Sequence, residues 1–131
     1  MDAALATVYV VDDDDGVRES LQALLESHGF HVEAFASSDA FIENFDSRTR
    51  GCLVLDLHLP RVGGLVVLDR LRKTIGSDLP VLLITGHGGK ATQAFVLDAG
   101  ASAYLDKPFD PEVFVAIVLN LLERSLSATS R

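Results

Sequence analysis

The chain has a single cysteine among its 131 residues, so it cannot form an intrachain disulfide. That residue, Cys52, stands in the apolar run Cys52–Leu55, where a small side chain is typical of a buried core. With 48% hydrophobic residues, the chain can bury a core without a disulfide or a structural metal. We therefore predict that Cys52 is a core residue rather than a reactive thiol.

Long apolar runs are also missing, since none approaches the roughly 20 residues that span a bilayer. The first five residues include Asp2, and they lack the basic start and apolar stretch of a secretory signal peptide. From these absences we expect a soluble cytoplasmic protein that makes no contact with a membrane.

Basic residues are few, because 11 Lys and Arg face 19 Asp and Glu and the formal net charge is -8. Binding to nucleic acid depends on clustered Lys and Arg, so we expect no direct nucleic-acid contact by this domain. The four histidines have no metal-ligand spacing. The glycine-rich segment Gly86–Gly89 matches neither the P-loop nor the dinucleotide-binding signature, and we interpret it as a mobile loop.

Short apolar runs alternate with amphipathic segments five times along the chain. The runs predict buried strands, and apolar residues at helical spacing between them predict helices. The predicted strands are Thr7–Val11, His31–Phe35, Cys52–Leu55, Val81–Ile84 and Ala103–Leu105. Strands that are apolar throughout need cover on both faces. The sequence therefore predicts an α/β fold, (βα)5, with a doubly wound five-stranded parallel sheet.

The end of the last predicted helix sets the predicted domain boundary. Asp110 and Pro111 fit the N-cap and first position of this helix, whose apolar face continues to Leu122. After Glu123 the residues become small and polar. We predict one domain over residues 1–124 and a disordered C-terminal tail over residues 125–131.

Polar residues collect where the predicted strands end. Asp12 and Asp13 follow the first strand, Asp56 the third and Thr85 the fourth, and Lys107 comes shortly after the fifth. In an open parallel sheet the binding crevice lies at the carboxyl ends of the strands. Two carboxylates about 4 Å apart repel by about 4 kcal/mol at an effective dielectric constant near 20. A group of three therefore favours a hard divalent cation such as Mg2+, which is a natural partner for phosphoryl transfer.

Four segments at these strand ends together resemble the signatures of one family. They are Val10–Asp14, Leu55–Asp56 with Pro60 and Gly64, Ile84–Gly86, and Asp106–Phe109. Taken in this order they resemble the receiver domain of two-component response regulators, which has a flavodoxin-like, CheY-like fold with strand order 2-1-3-4-5. Ile84–Gly88, with Ala99–Ala101 and Lys107–Phe109, is most similar to the FixJ-type subgroup. The resemblance covers residues 7 to 124.

The resemblance implies a role for each matching residue. Asp56 would be the phosphoacceptor, with Thr85 and Lys107 contacting the phosphoryl group. Asp13, Asp56 and the backbone carbonyl of His58 would hold Mg2+ directly, and Asp12 would act through a water. Thr85 and Tyr104 would form the switch, since Tyr104 matches an aromatic position that swings inward on activation. The Lys107–Pro108 bond would be cis.

Three residues beside Asp56 depart from the common pattern of the family. Leu59 stands where Met is frequent, Arg61 stands where an acid is frequent, and His58 is an unusual residue at its position. We expect these changes to affect the lifetime of the phosphoryl group and the choice of partner, and to leave the switch itself intact.

The implied function is a phosphorelay switch and not an enzyme with turnover. A histidine kinase or phosphotransfer protein would donate to Asp56. The face made by the fourth helix and fifth strand would then control a partner, an output domain or homodimerisation.

Two alternatives stay open at this point. Asp13–Val17 also fits the start of haloacid-dehalogenase-like phosphohydrolases, which would use Asp13 and Asp15, although Asp56 would then have no role. The second alternative is a receiver-like contact module that is never phosphorylated.

Overall fold

The computed structural model describes residues 6–46, 50–59, 63–86 and 89–129. Strands and helices alternate along this part of the chain. They are β1 (Ala6–Val11), α1 (Asp15–Ser27), β2 (His31–Phe35), α2 (Ser38–Asn44), β3 (Arg50–Asp56), α3 (Gly64–Asp69), β4 (Val81–Thr85), α4 (Lys90–Asp98), β5 (Ala103–Asp106) and α5 (Pro111–Thr129). A π-helical segment, Arg70–Thr74, continues α3.

The five strands form one parallel sheet with the order β2-β1-β3-β4-β5. The predicted fold class and strand order are therefore confirmed. The order places β1 and β3 side by side, with Val11 opposite Leu55. The residues that follow these two strands must then meet at the same edge of the sheet, which is the edge that carries the site.

Successive side chains of a strand point to opposite faces of the sheet, and helices cover both faces. One face, with Val8, Val10 and Val54, packs against apolar residues of α1 and α5. The other, with Leu53 and Leu55, packs against α2, the segment from α3 to Thr74, and α4. The apolar strands identified in the sequence are thus covered on both sides.

Cys52 lies on the face that packs against α1 and α5, and its side chain is fully buried. Burial raises the pKa of the Cys52 thiol to about 12. The prediction of a core cysteine is confirmed.

Side chains of Asp14, Ser37 and Asp110 accept hydrogen bonds from amides at the N-termini of three helices. Asp14 caps α1 by accepting a hydrogen bond from the amide of Val17, and Ser37 caps α2 in the same way. Asp110 accepts a hydrogen bond from the amide of Glu112 in the first turn of α5, as the sequence predicted. Among the described residues, no helix is both long and apolar enough to cross a membrane.

The predicted tail is wrong over residues 125–129, because α5 continues through them to Thr129. Ser125 Oγ accepts a hydrogen bond of 3.0 Å from the amide of Gly51 at the start of β3. Leu126 packs, partly buried, against the core. The helix therefore extends here, because Ser125 bonds to the start of β3 and Leu126 packs against the core. Ser130 and Arg131 lie outside the described residues.

Candidate phosphoacceptor site

Three carboxylates converge at the carboxyl edge of the sheet. Asp12 and Asp13 follow β1, and Asp56 is the last residue of the neighbouring β3. One carboxylate oxygen from each lies within 4.8 Å of the others. The sheet order brings Asp56 to the other two, since it is more than 40 positions away from Asp12 and Asp13 in sequence. The predicted meeting of the three acids is therefore present in the structure.

The three carboxylates differ in exposure. Asp12 is only 3% exposed, Asp56 is partly buried and Asp13 is exposed. Burial raises the pKa of Asp12, and the nearby negative charges of Asp56 and Asp13 act in the same direction. The hydrogen bond from the Asp14 amide and the charge of Lys107 act against this rise in pKa.

Lys107 supplies the positive charge of the site. Its Nζ lies 3.6 Å from Oδ2 of Asp12 and 3.7 Å from Oδ2 of Asp56. Its amide donates a hydrogen bond of 2.8 Å to the carbonyl of Thr85, which fixes the start of the loop after β5. The peptide bond between Lys107 and Pro108 is cis, as the resemblance implied. One ammonium group therefore faces two of the three carboxylates.

Thr85 ends β4 and its side chain is fully buried. The register pairs Asp56 with Ile84, the residue before Thr85, so the hydroxyl-bearing residue belongs to the strand next to the phosphoacceptor candidate. Thr85 is also paired with Asp106 across β4 and β5. This location fits the role that the sequence assigned to Thr85, and the role itself stays a prediction.

The loop after Asp56 is held by backbone contacts. Oδ1 of Asp56 accepts a hydrogen bond of 2.9 Å from the amide of His58. The amide of Gly64 donates to the carbonyl of Leu57 at 2.9 Å. A Cβ atom at Gly64 would come within 2.6 Å of the carbonyl oxygen of Asp56, so only glycine fits at this position. The structure thus gives a steric reason for the glycine in the motif.

The departures from the family pattern fall partly inside this loop. His58 is exposed and Leu59 is buried. Pro60, Arg61 and the glycine-loop residues His87 and Gly88 lie outside the described residues.

Two residues of the site region were not identified from the sequence. Asp106 Oδ1 accepts a hydrogen bond of 2.7 Å from the hydroxyl of Tyr104, and that hydroxyl accepts one of 3.3 Å from the amide of Gly89. Arg18 donates to the carbonyl oxygen of Asp12 at 2.9 Å. The spacing of two residues in β5 places Tyr104 and Asp106 on the same face, which is the signal that could have found the first pair.

The donor set determines what this crevice can bind. Asp12, Asp13 and Asp56 offer only carboxylate oxygens, which suit a hard cation such as Mg2+. Lys107 offers a positive charge beside Asp56, in addition to that of a bound cation. Carboxylate oxygens, a lysine and a buried threonine at the ends of parallel strands are groups that suit a divalent cation and a phosphoryl group.

Comparison with known proteins agrees with a site of this kind. The family model described as the response regulator receiver domain matches residues 8–119. The Transcriptional regulatory protein FixJ of Azorhizobium caulinodans is 41% identical over 118 residues, which cover 90% of this chain and 56% of that protein. The response regulator StyR superposes with a TM-score of 0.88 and 35% identity, covering 97% of this chain and 64% of that one. Full-length FixJ from B. japonicum superposes with a TM-score of 0.85 and 32% identity, covering 95% of this chain and 61% of that one.

The chain therefore belongs to the family of response regulator receiver domains, and it is of the FixJ type. It spans about half the length of the curated relatives that it matches, 56% of FixJ and 49% of the response regulator protein TodT of Pseudomonas putida. The phosphohydrolase alternative gains no support from the site. Asp15, which it requires, begins α1 and pairs with Arg18, outside the cluster of three carboxylates.

Proposed function

We propose that this domain is a switch that accepts a phosphoryl group on Asp56 and changes its surface in response. The observation that carries the proposal is the position of Asp56, beside two further carboxylates and 3.7 Å from the ammonium of Lys107. A carboxylate can be the nucleophile in phosphoryl transfer and form an aspartyl phosphate. The oxygen–phosphorus bond to Asp56 would form as the nitrogen–phosphorus bond of a kinase phosphohistidine breaks.

Mg2+ is the cofactor that the donor set favours. In the proposed site, Asp13, Asp56 and the backbone carbonyl of His58 would hold the cation, and Asp12 would act through a water. When bound, the cation would offset the negative charge of the carboxylates and of the phosphoryl oxygens. Lys107 already supplies one positive charge that pairs with both Asp12 and Asp56.

Lys107 and Thr85 would respond to the new charge. Esterification of Asp56 replaces a carboxylate by a group that carries more negative charge and more acceptor oxygens. Lys107 would then pair with a phosphoryl oxygen, and the Thr85 hydroxyl would donate to another. The Lys107 amide donates a hydrogen bond to the Thr85 carbonyl, and this contact supports a coupled movement of the two residues.

The output would be a rearranged face made by α4 and β5. Tyr104 of β5 contacts Gly89, the N-cap residue of α4, so a movement of its ring would reach the start of that helix. Phe95 and Leu97 of α4 are exposed apolar residues that a partner or a second copy would cover. The donor would be a histidine kinase or a phosphotransfer protein, and in a longer protein the switch would control an output domain. The expected cytoplasmic location stays a prediction.

The test is phosphorylation by a small-molecule donor. Incubation with acetyl phosphate and Mg2+ should add one phosphoryl group, a mass increase of about 80 Da, and Asp56→Asn should abolish it. Asp69→Asn is the matched control, because Asp69 is an exposed acid paired with Lys73 and should leave labelling intact. Unchanged labelling in Asp56→Asn would refute the acceptor assignment.

Two further outcomes separate the alternatives. A chain that folds, binds Mg2+ and is never labelled would be a contact module. Sustained Mg2+-dependent release of phosphate from a generic phosphate ester would favour a phosphohydrolase, because a switch is expected to take up a single group per molecule.

A further inference from the structure

Arg18 connects the first turn of α1 to the end of β1. Its Nη1 donates a hydrogen bond of 2.9 Å to the backbone carbonyl oxygen of Asp12, and its Nη2 pairs with Oδ1 of Asp15. Its side chain is 17% exposed, so most of it lies against the protein. We propose that Arg18 is a positioning residue for the cation site, which holds the peptide between Asp12 and Asp13 in the orientation that cation binding needs. The inference rests on the proposed function of that site.

The Asp12 carbonyl lies where the sheet no longer supplies partners. The register of β1 with both of its neighbours ends at Val11. The amide of Asp12 still donates to the carbonyl of Phe35 at 3.2 Å, while its own carbonyl oxygen extends beyond the strand pairing. A backbone carbonyl in such a place needs a donor from elsewhere, and the guanidinium of Arg18 provides one.

Further hydrogen bonds make the turn between β1 and α1 rigid. Oδ1 of Asp12 accepts from the amide of Asp14 at 2.9 Å, and Oδ1 of Asp14 accepts from the amide of Val17 at 3.0 Å. The amide of Arg18 donates to the carbonyl of Asp14. The turn is therefore closed at Asp12, at Asp14 and at the first turn of α1.

Asp13 depends most on this arrangement. It is the exposed member of the three carboxylates, and burial does not fix its direction as it fixes that of Asp12. Its side chain leaves the backbone directly after the peptide plane that Arg18 holds through the Asp12 carbonyl. Removal of the Arg18 bond would let this plane rotate, and Asp13 would spend less time in the position that faces Asp56.

The charge of Arg18 and its positioning contact have opposite effects on the affinity for Mg2+. A positive charge near three carboxylates competes with a divalent cation, so loss of the charge alone would strengthen Mg2+ binding. Loss of the positioning contact would weaken it, because residues that orient metal ligands change metal affinity markedly when they are replaced. The sign of the change in Mg2+ affinity therefore decides between the two effects.

The experiment is a titration of the full chain with Mg2+ alone, measured by isothermal titration calorimetry at constant ionic strength. Arg18→Met keeps an apolar stem and removes both charge and donors, and we expect its dissociation constant for Mg2+ to rise about tenfold. Arg18→Lys keeps a charged donor and should recover part of the affinity. Asp15→Asn removes the partner carboxylate but leaves the bond to Asp12, so it should bind Mg2+ nearly as the wild type does.

Two results would overturn the inference. One is an Arg18→Met variant that binds Mg2+ as tightly as the wild type or more tightly. The other is an Asp15→Asn variant that loses as much affinity as Arg18→Met, since this would assign the effect to the ion pair with Asp15. Thermal melting without Mg2+ gives the temperature at which each variant unfolds, and all titrations are made well below that temperature.

Labelling by acetyl phosphate gives a second readout. Arg18→Met should reach the wild-type rate of labelling at saturating Mg2+ and fall behind at low Mg2+, because the acceptor carboxylate is intact. A rate that stays low at saturating Mg2+ would contradict a positioning role. Failure of the wild type to bind Mg2+ or to be labelled would instead overturn the proposed function, so the two failures are distinguishable.

Discussion

The hydroxyl of Tyr104 donates a hydrogen bond of 2.7 Å to Oδ1 of Asp106, two residues further along β5. Burial raises the pKa of Tyr104, and the hydrogen bond to Asp106 raises it further. The same hydroxyl accepts the amide of Gly89 at the start of α4. The hydroxyl of Tyr104 therefore bonds both to Asp106, directly before Lys107, and to the start of α4, the helix whose movement we propose as the output.

Asp106→Asn should lower the pKa of Tyr104 because it removes a charged acceptor, while the contribution of burial remains. The raised pKa means that Tyr104 stabilises the fold below the pKa of an unfolded tyrosine, near 10, and that this contribution is lost as the pH rises above it. Because the loss begins at the unfolded pKa in both proteins and ends at the folded pKa, the variant should lose less stability than the wild type as the pH rises above about 10. Ultraviolet absorbance of tyrosinate measures the titration, and Tyr104→Phe identifies the signal that does not come from Tyr9. A titration that does not change in Asp106→Asn would show that the hydrogen bond has no influence.

Gly64→Ala should destabilise the domain by about 1–3 kcal/mol, the range for overpacked sites. The added Cβ would lie 2.6 Å from the Asp56 carbonyl oxygen and 2.9 Å from Leu57 Cα, so the loop after β3 must shift. Gly63→Ala is the matched control, since its Cβ would meet nothing closer than 3.8 Å. Urea unfolding measures both, and equal stability of the two variants would contradict the steric argument.

The Cys52 thiol should resist alkylation in the folded protein. Burial raises its pKa to about 12, so it is protonated and shielded at pH 8, and iodoacetamide should react only after unfolding. Because the folded pKa lies above the unfolded value, this contribution to stability is present below about pH 8.5 and is lost as the pH rises toward 12. Mass spectrometry before and after addition of denaturant measures the reaction. Rapid labelling of the native chain would show that the strand opens readily.

Lys107→Ala should still accept a phosphoryl group on Asp56, because the acceptor oxygens and the other two carboxylates remain. It should fail to transmit the change, because the ammonium that faces both Asp12 and Asp56 is gone. Hydrogen exchange of α4 and β5, compared before and after labelling, reports the response. Lys73→Ala serves as the control, since Lys73 is exposed and pairs with Asp69. A normal exchange response in Lys107→Ala would refute the ion-pair account.

Much of the site could be predicted because strand ends are visible in sequence. Asp12, Asp13 and Asp56 each follow an apolar run, and a parallel sheet with β1 beside β3 leaves their backbones no other place to lie. Lys107 was found by the same reasoning. The contacts of Arg18 could not be predicted, because they depend on how α1 is turned around its own axis. The pair of Tyr104 and Asp106 was missed although their two-residue spacing in a strand places them on the same face. The end of α5 was missed because the composition of residues 125–129 does not reveal that Ser125 meets the Gly51 amide.

That contact between Ser125 and Gly51 joins α5 to the end of β3 opposite Asp56. Gly51 and Asp56 are five residue steps apart along β3, about 17 Å at 3.3 Å per residue. This exceeds the Debye length of about 8 Å at physiological ionic strength, so salt would screen the field of an added charge where it passes through solvent, and less where it passes through the packed sheet. A message that reaches the last turns of α5 through the Ser125–Gly51 contact would therefore be carried by a displacement of packed backbone.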